Sequence, residues 1–374
     1  MLRPIEHFLV IAISARALVC AANRAGFRVD AMDCFADADT RDQCHYLGQL
    51  EMQSGCIELP SVERILGQIQ RDSYDGVILG SGFEQQPEIQ DRLLEYGPVR
   101  GNSIDTIRKC KDQKYLVKLL ERLQIKYPAT LFVDKVPGVN WLAKKPGANG
   151  GVHVLQPGDG AQVPEGYYLQ QRIDGTCCSI VFLANGSDAC ILGTNELQAV
   201  NAERGDFRYA GAISNSGFLR ADQNCLSEII MTLTGELELR GLCGIDFIKS
   251  PTGELYLLEI NPRPTATFEL HQSEAFNLFR AHVAACQGHL PASVPTFYGY
   301  RGQQIIYANT DLEIPSPAWP DWVSDRPLNG TNIRQNEPVC TIHAQASSFK
   351  KVTELLKNRR QRLAELLGAH KIAA

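Results

Sequence analysis

The sequence lacks the features that mark several common classes of protein. None of its 374 residues belongs to a run approaching the roughly 18 apolar residues that a transmembrane helix needs. Its twelve cysteines include no Cys-x-x-Cys pair, and its histidines are not spaced as zinc ligands. Lysine and arginine (37) nearly balance aspartate and glutamate (42), so no global positive field attracts nucleic acid or anionic lipid. We therefore expect neither a nucleic acid nor a membrane as a partner.

Cysteine usage and the N-terminus both predict a cytoplasmic protein. Scattered thiols without a paired spacing are typical of a reducing compartment in a chain of this size. The apolar run Phe8–Ile13 is shorter than the core of a typical secretion signal, and Arg16 and Arg24 follow it closely. The run is better explained as a buried first strand.

The first hundred or so residues predict a small Rossmann-like domain, residues 1–104, with a parallel sheet and helical crossovers. Apolar strand patterns alternate with helical ones up to the strand that ends near Gly80. Ligands of such sheets bind beyond the carboxyl ends of the strands, where Arg16, Gly82 and Glu84 lie. A nicotinamide site is a weak alternative, because Gln85 stands where the dinucleotide fingerprint requires a third glycine.

The remaining sequence predicts two further units. Residues 105–290 combine helices at 110–123 and 268–287 with short strands, and include a smaller α+β lid at about 110–175. Residues 291–374 predict a small, mostly β region closed by a helix at about 348–367. The fold class is therefore α/β, with an α+β lid.

One predicted hairpin carries two carboxylates and an amide on the same face. Strands at 243–249 and 255–260 are joined by a turn around Thr252, which places Asp246 near Leu257. Because strand side chains alternate, Asp246, Glu259 and Asn261 share one face. Oxygen ligands of this kind suit Mg²⁺, for which Mn²⁺ can substitute. Arg263 follows, held between two prolines, and could bind a phosphate or an acyl-phosphate. The alternative is a surface hairpin with solvated acids.

Two weaker patterns precede the hairpin. A strand at 141–145 carries Lys145 into a loop that contains Gly147, Gly150 and Gly151, whose backbone N–H groups could approach phosphate oxygens. A second strand, Tyr168–Ile173, ends in polar residues that could hydrogen-bond an adenine. Alone, the first pattern is equally consistent with a flexible turn, and the second with an ordinary edge strand.

Together and in this order, the three stretches resemble the ATP-grasp superfamily from about Asp105 to Gln287. The resemblance implies Mg-ATP as the bound nucleotide, with Asp246, Glu259 and Asn261 as metal ligands and Arg263 stabilising the transferring phosphate. It implies that the nucleotide is held by a set of lid residues: Lys114, Lys145, Gly150, Gly151, Gln170, Arg172, Ile173 and Asp174. The usual Asp-Lys pair at the start of the lid helix is absent, since Gln113 follows Asp112 and Lys114 is the substitute.

Five stretches also resemble carboligases related to biotin carboxylase, including tyramine–glutamate ligase-like enzymes of methanofuran biosynthesis. These stretches are Ser14–Leu18, Phe35–Asp39, Gly80–Glu84, Asn261–Leu270 and Glu337–Ala344. The resemblance implies a carboxylate–amine ligase that forms an acyl-phosphate and releases ADP. The expected substrates are a small carboxylate, Glu-like because Arg16 and Arg263 could both face it, and an amine. Gly82, Glu84 and Glu269 are further candidate substrate residues, and a homodimer is possible.

Two rival functions stay open at this point. One is carboxylation of a small acceptor, as in biotin carboxylase, although the chain has no Ala-Met-Lys-Met motif of a biotin carrier. The other is a nucleotide-binding regulator without turnover. The complete set Asp246, Glu259, Asn261 and Arg263 argues against the regulator, whereas Gln113 leaves it open.

Overall fold

A computed structural model describes residues 5–53, 55–215, 222–295, 297–316, 318–368 and 372. The N-terminal part forms a parallel sheet in the order β3-β2-β1-β6. Its strands are β1 His7–Ala12, β2 Arg28–Asp33, β3 Leu47–Gln49 and β6 Gly76–Leu79, with the small pair β4 Met52–Gln53 and β5 Cys56–Ile57. Its helices are α1 Arg16–Arg24, α2 Ala38–Arg41, α3 Leu59–Leu66 and α4 Ile89–Leu93. The predicted Rossmann-like arrangement is confirmed.

The lid part contains two helices and a three-stranded antiparallel sheet in the order β7-β9-β8. These elements are α5 Ile104–Lys111, α6 Gln113–Arg122, β7 Thr130–Leu131, β8 Trp141–Lys144 and β9 Tyr168–Gln171. The single helix predicted at 110–123 is wrong, because Asp112 has extended backbone angles and divides it. Its carboxylate accepts the N–H groups of Lys114 (2.9 Å) and Tyr115 (3.1 Å), and so caps α6.

An eight-stranded antiparallel sheet, in the order β14-β13-β10-β11-β12-β15-β19-β17, forms the centre of the molecule. Its first five strands in the chain are β10 Thr176–Asn185, β11 Ala189–Asn201, β12 Asp206–Ser214, β13 Arg240–Lys249 and β14 Leu255–Asn261. Helix α7, Gln223–Leu237, precedes β13. The predicted helix at 268–287 is instead a 3₁₀ segment, Ala266–His271, followed by α8, Leu278–Cys286. Asn277 caps α8 by accepting the N–H of Arg280, which sets the later start of this helix.

The C-terminal part continues the central sheet. Its elements are β15 Tyr300–Tyr307, β16 Leu312–Glu313, β17 Val323–Ser324, β18 Asn332–Ile333, β19 Pro338–Ala346 and α9 Phe349–Leu367. Strand β15 pairs with β12, so the central sheet extends into the residues after 290, while β16 and β18 form a separate two-stranded sheet. In the part of the chain that the structure describes, no helix is both long and apolar enough to cross a membrane.

A shared apolar core fixes the N-terminal sheet against the central one. Phe8 of β1 packs edge-on against Phe27 (4.9 Å between ring centroids) and against Phe279 of α8 (5.3 Å). Val181 of β10 and Leu242 of β13 belong to the same buried cluster. Because this packing is continuous, the carboxyl ends of the parallel strands lie beside the loop that leaves β14.

Candidate functional site

The hairpin β13–β14 brings the three candidate metal ligands together. Asp246 pairs directly with Glu259, and a β-bulge between Asp246 and Phe247 shifts the register. The sequence had placed Asp246 near Leu257, and that register is wrong by two residues. One comes from the turn, which has five residues rather than four because Lys249 pairs with Leu255, and the other comes from the bulge. The amide nitrogen of Asn261 donates to Asp246 Oδ2 (3.2 Å) and to Glu259 Oε1 (3.0 Å). The three side chains therefore lie on one face of the hairpin and are in contact with one another.

The electrostatics of this group favour a bound cation. Burial and the neighbouring Glu259 carboxylate raise the pKa of Asp246 well above its usual value. Burial opposes ionisation of Glu259 as well, but Lys111 and hydrogen bonds outweigh it and lower its pKa to about 2. Lys111 Nζ donates to Asn261 Oδ1 (3.1 Å) and lies 4.0 Å from Glu259 Oε2. Lys111 thus supplies the positive charge beside two adjacent carboxylates.

The donor set fits Mg²⁺. Two carboxylates and one amide are oxygen donors, and such donors suit a small hard cation. Asn261 could present Oδ1 to the cation after rotation of its amide, which also exchanges its hydrogen bond with Lys111. The repulsion that raises the pKa of Asp246 would be relieved by the added positive charge.

The glycine-rich loop, residues 146–152, follows β8. The lysine beside the candidate metal ligands is Lys144, the last residue of β8, whereas the sequence predicted Lys145. Lys144 Nζ donates to Gln170 Oε1 (2.6 Å) on the neighbouring strand β9. Burial lowers the pKa of Lys144, while Glu259, Cys177 and Asp246 act in the opposite direction. Lys145 is exposed. Strand β8 ends at Lys144, and this is the lysine that the Glu259 and Asp246 carboxylates influence.

The glycines of this loop allow a close backbone approach to β12. Tyr209 N–H donates to the carbonyl of Gly150 (3.0 Å). A Cβ atom at Gly151 would lie 2.0 Å from the carbonyl oxygen of Phe207, and φ there is +75°. A side chain at residue 151 would therefore displace the loop.

Arg263, Glu84 and Asn149 form a closed triangle of side chains. Arg263 Nε donates to Glu84 Oε1, and its Nη2 donates to Asn149 Oδ1 (2.8 Å). Asn149 Nδ2 donates in turn to Glu84 Oε2, and so does the N–H of Gly82, each at 2.9 Å. Burial disfavours the ionised Glu84, but Arg263 and Lys111 lower its pKa below the usual value. The triangle ties the N-terminal domain, the end of β14 and the glycine-rich loop together.

The remaining predicted nucleotide residues lie around the lid sheet. Gln170 is buried, and Arg172 N–H donates to the carbonyl of Asn140 (2.8 Å). Ile173 is half-buried and Asp174 is exposed. Lys114 Nζ lies over the ring of Phe132, 5.3 Å from its centroid. Lys114 has no described contact with the candidate metal ligands, whereas Lys111 has.

Arg16 is enclosed by carboxylates of the protein itself. Its guanidinium binds both oxygens of Glu269, with Nη2 at 2.8 Å from Oε2, and its Nε donates to Asp325 Oδ1 (2.9 Å). Burial opposes the charge on Arg16, yet the two acids raise its pKa above the usual value. The guanidinium of Arg16, which was predicted to bind a substrate carboxylate, is therefore already paired with Glu269 and Asp325.

Four residues of this site were not found from the sequence: Lys111, Lys144, Asn149 and Asp325. Lys144 and Lys145 are adjacent, and only the pairing of β8 with β9 decides which one faces inward. Lys111 directly precedes Asp112, and the missing Asp-Lys pair was a signal that could have drawn attention to it. Asp325 gave no local signal, because its partner Arg16 lies 309 residues away in the sequence.

Comparison with known proteins gives the class. Residues 110–267 match the family model of the ATP-grasp domain. No curated protein sequence matches the chain. The predicted resemblance to the ATP-grasp superfamily is therefore confirmed over residues 110–267.

Solved structures of low identity share the fold over nearly the whole chain. The biotin carboxylase domain of 2-oxoglutarate carboxylase from Hydrogenobacter thermophilus has a TM-score of 0.70 at 14% identity, covering 98% of this chain and 90% of that one. L-amino acid ligase from Bacillus licheniformis has a TM-score of 0.69 at 13% identity, covering 99% of both chains. Pyruvate carboxylase from Rhizobium etli has a TM-score of 0.74 at 14% identity. That match covers 95% of this chain but only 37% of the carboxylase, so this chain spans little more than a third of it.

Proposed function

We propose that the protein is an ATP-dependent carboxylate–amine ligase that forms an acyl-phosphate and releases ADP and phosphate. The observation that carries this proposal is the convergence of Asp246, Glu259 and Asn261 with two lysines, Lys111 and Lys144. Two carboxylates flanked by two cations from other elements suit a metal–polyphosphate ligand. The L-amino acid ligase, of nearly the same length and fold, supports a ligase reaction.

The proposed roles follow from the contacts. Asp246, Glu259 and Asn261 would hold Mg²⁺, which when bound would neutralise charge on the phosphoryl oxygens. Lys111 and Lys144 would bind the ATP phosphates, and the N–H groups around Gly150 and Gly151 would cover them. The adenosine would lie at the lid sheet, beside four residues: Gln170, Arg172, Ile173 and Asp174.

The proposed reaction has two steps. A carboxylate oxygen attacks the γ-phosphorus of ATP, the bond from that phosphorus to the β–γ bridging oxygen breaks, and ADP leaves. The ammonium form of the amine first loses one proton to solvent. The nitrogen lone pair then attacks the acyl carbon, phosphate leaves with the C–O electron pair, and a second proton is released to solvent. Arg263 must exchange Glu84 and Asn149 for the phosphoryl oxygens, where a planar cation stabilises the developing charge.

The identity of the two substrates is a less specific proposal than the type of reaction. The resemblance to tyramine–glutamate ligase-like enzymes makes glutamate and tyramine the first pair to test, with a role in one-carbon cofactor assembly. Arg16 is held by two carboxylates, Glu269 and Asp325, whereas Arg263 is held by one, Glu84, so we expect the substrate carboxylate beside Arg263. A cytoplasmic location and a homodimer belong to the same proposal.

The test is a screen for ADP release with purified protein, Mg-ATP, a panel of carboxylates and a panel of amines. We expect ADP and phosphate, dependent on both substrates, and loss of turnover in Asp246→Asn and Glu259→Gln. Glu254→Gln is the matched control, because Glu254 is an exposed acid in the turn of the same hairpin. Release of AMP and pyrophosphate, or full activity in both metal-site variants, would contradict the proposal. Turnover only with bicarbonate and biotin would instead identify a biotin carboxylase-like reaction.

A further inference from the structure

An acidic cluster lies at the carboxyl ends of the parallel strands. It contains five carboxylates, brought together from three distant parts of the chain: Asp33, Asp37, Asp39, Glu269 and Asp325. Two guanidinium groups face them, Arg16 within the cluster and Arg326 with Nε 3.9 Å from Asp39. Burial lowers the pKa of His343 and raises that of the Cys340 thiol, so both neighbours are neutral at pH 7. Negative charge therefore exceeds positive charge here.

Four of these carboxylates are satisfied within the protein. Asp33 accepts the N–H groups of Ala15, Phe35 and Ala36 at 2.6–2.7 Å. Asp39 accepts the N–H groups of Asp325 (2.8 Å) and Arg326 (2.9 Å). Glu269 and Asp325 share the guanidinium of Arg16. These contacts hold the cluster in place without neutralising it.

Asp37 is the exception. Its residue is 5% exposed, and among the residues that the structure describes no donor hydrogen-bonds its carboxylate. Burial, followed by repulsion from Asp325, Asp33 and Asp39, raises its pKa to about 8, and Arg16 only partly opposes this. The carboxylate oxygens of Asp37 are not among the fully enclosed side-chain atoms without a partner, so a ligand could still reach them. The ligand must donate hydrogen bonds and carry positive charge.

The position of the cluster connects it to the proposed reaction. Ligands of parallel α/β sheets bind beyond the carboxyl ends of their strands, and Asp33 is the last residue of β2. Glu269 lies in the 3₁₀ segment directly after Arg263 and Pro264, so the same loop borders the phosphoryl site. Ser14, whose hydroxyl is 3.5 Å from Asp325, is exposed and leaves an approach from solvent.

We propose that the acidic cluster binds the ammonium group of the amine substrate, with Asp37 accepting its hydrogen bond. This proposal rests on the ligase function and assigns the amine to the N-terminal domain. A carboxylate substrate would be repelled from this place, since the nearby guanidinium is already paired. The two substrates would thus approach from different sides, the acid beside Arg263 and the amine beside Asp37.

Asp37→Asn is the test, and Asp42→Asn is the matched control, because Asp42 is an exposed acid directly after the same short helix. Calorimetric titration of propylamine, tyramine and 1,4-diaminobutane into the protein with MgADP measures binding without turnover. We expect binding to wild type and Asp42→Asn, and dissociation constants roughly 10- to 100-fold higher in Asp37→Asn, the range of a charge-assisted hydrogen bond. Equal binding in all three proteins, or no binding of any amine to wild type, would overturn the proposal.

Hydroxylamine separates this proposal from the ligase function. It is uncharged at neutral pH and converts an acyl-phosphate to a hydroxamate with release of phosphate. We expect wild type and Asp42→Asn to form hydroxamate at the same rate, whereas the KM for the amine rises in Asp37→Asn. If wild type forms no hydroxamate with any carboxylate, the ligase function fails, while the titration still decides whether the cluster binds amines. Normal hydroxamate formation with an unchanged amine KM in Asp37→Asn would refute the amine site alone.

Discussion

Arg263 Nε donates to the Glu84 carboxylate, joining the end of β14 to the loop after β6 across 179 positions of sequence. Both side chains are largely buried, and Asn149 of the glycine-rich loop binds each of them. The guanidinium expected to stabilise a transferring phosphate is therefore paired within the protein. Engagement of a phosphoryl group requires it to exchange partners, which couples the loop to the N-terminal domain.

Glu84→Gln should loosen this connection. The variant keeps one acceptor but removes the charge that pairs with Arg263, so we expect the free energy of unfolding to fall by about 1–3 kcal/mol. Hydrogen exchange across residues 146–152 should become faster in the nucleotide-free protein. Glu88→Gln is the control, because Glu88 pairs with Arg108 at the exposed surface. Exchange as slow as in wild type would show that the triangle does not hold the loop.

Lys144→Ala and Lys145→Ala test which of these two lysines, the last residue of β8 or the residue after it, meets the nucleotide. Lys144 lies beside Gln170 and is influenced by both metal-site carboxylates, whereas Lys145 is exposed. We expect KM for ATP to rise at least about tenfold in Lys144→Ala, the loss of one charge-assisted hydrogen bond. Lys145→Ala should stay within about twofold of wild type. The opposite ranking would restore Lys145 as the phosphate ligand.

Lys111→Ala should destabilise the protein in a manner that Mg²⁺ reverses. Removing the ammonium group takes away one of the two lysines beside the Asp246–Glu259 pair and leaves only Lys144, so the melting temperature falls in metal-free buffer. A cation bound by these carboxylates would take over its role, and the deficit should shrink with MgADP. Lys109→Ala serves for comparison, since Lys109 pairs with Asp105 at the surface. A deficit that is equal with and without MgADP would speak against a metal site here.

Asp37→Asn should stabilise the protein increasingly as the pH rises. The folded-state pKa of about 8 lies above the ordinary aspartate value, so ionising Asp37 costs stability. That cost is absent below about pH 4, grows through the interval up to pH 8, and is complete above it, reaching the order of a few kcal/mol. The increase in free energy of unfolding of Asp37→Asn over wild type, measured by denaturant unfolding, should grow over the same pH range. Asp42→Asn should show no such increase. A gain independent of pH would mean that folding does not raise the pKa of Asp37.

Local patterns in the sequence determined the part of the site that lies on neighbouring residues. The two-residue period of a strand placed Asp246, Glu259 and Asn261 on one face without knowledge of the rest of the fold. The three motifs in their order resembled the ATP-grasp superfamily, and that resemblance indicated the ATP-grasp domain. Even there the bulge after Asp246 was missed, since it depends on how β13 meets β14.

Only the tertiary structure decided which charges are available. Arg16 looked free to bind a substrate, yet Asp325, from the other end of the chain, occupies it. Lys144 rather than Lys145 faces the cleft because of the side on which β9 lies, and Lys111 reaches the hairpin from a separate helix. The physical reason is that a charge acts through space over a few ångströms, whereas periodicity reports only on neighbours along the chain. Contacts between distant segments form when apolar faces pack, and that packing set the electrostatics of this site.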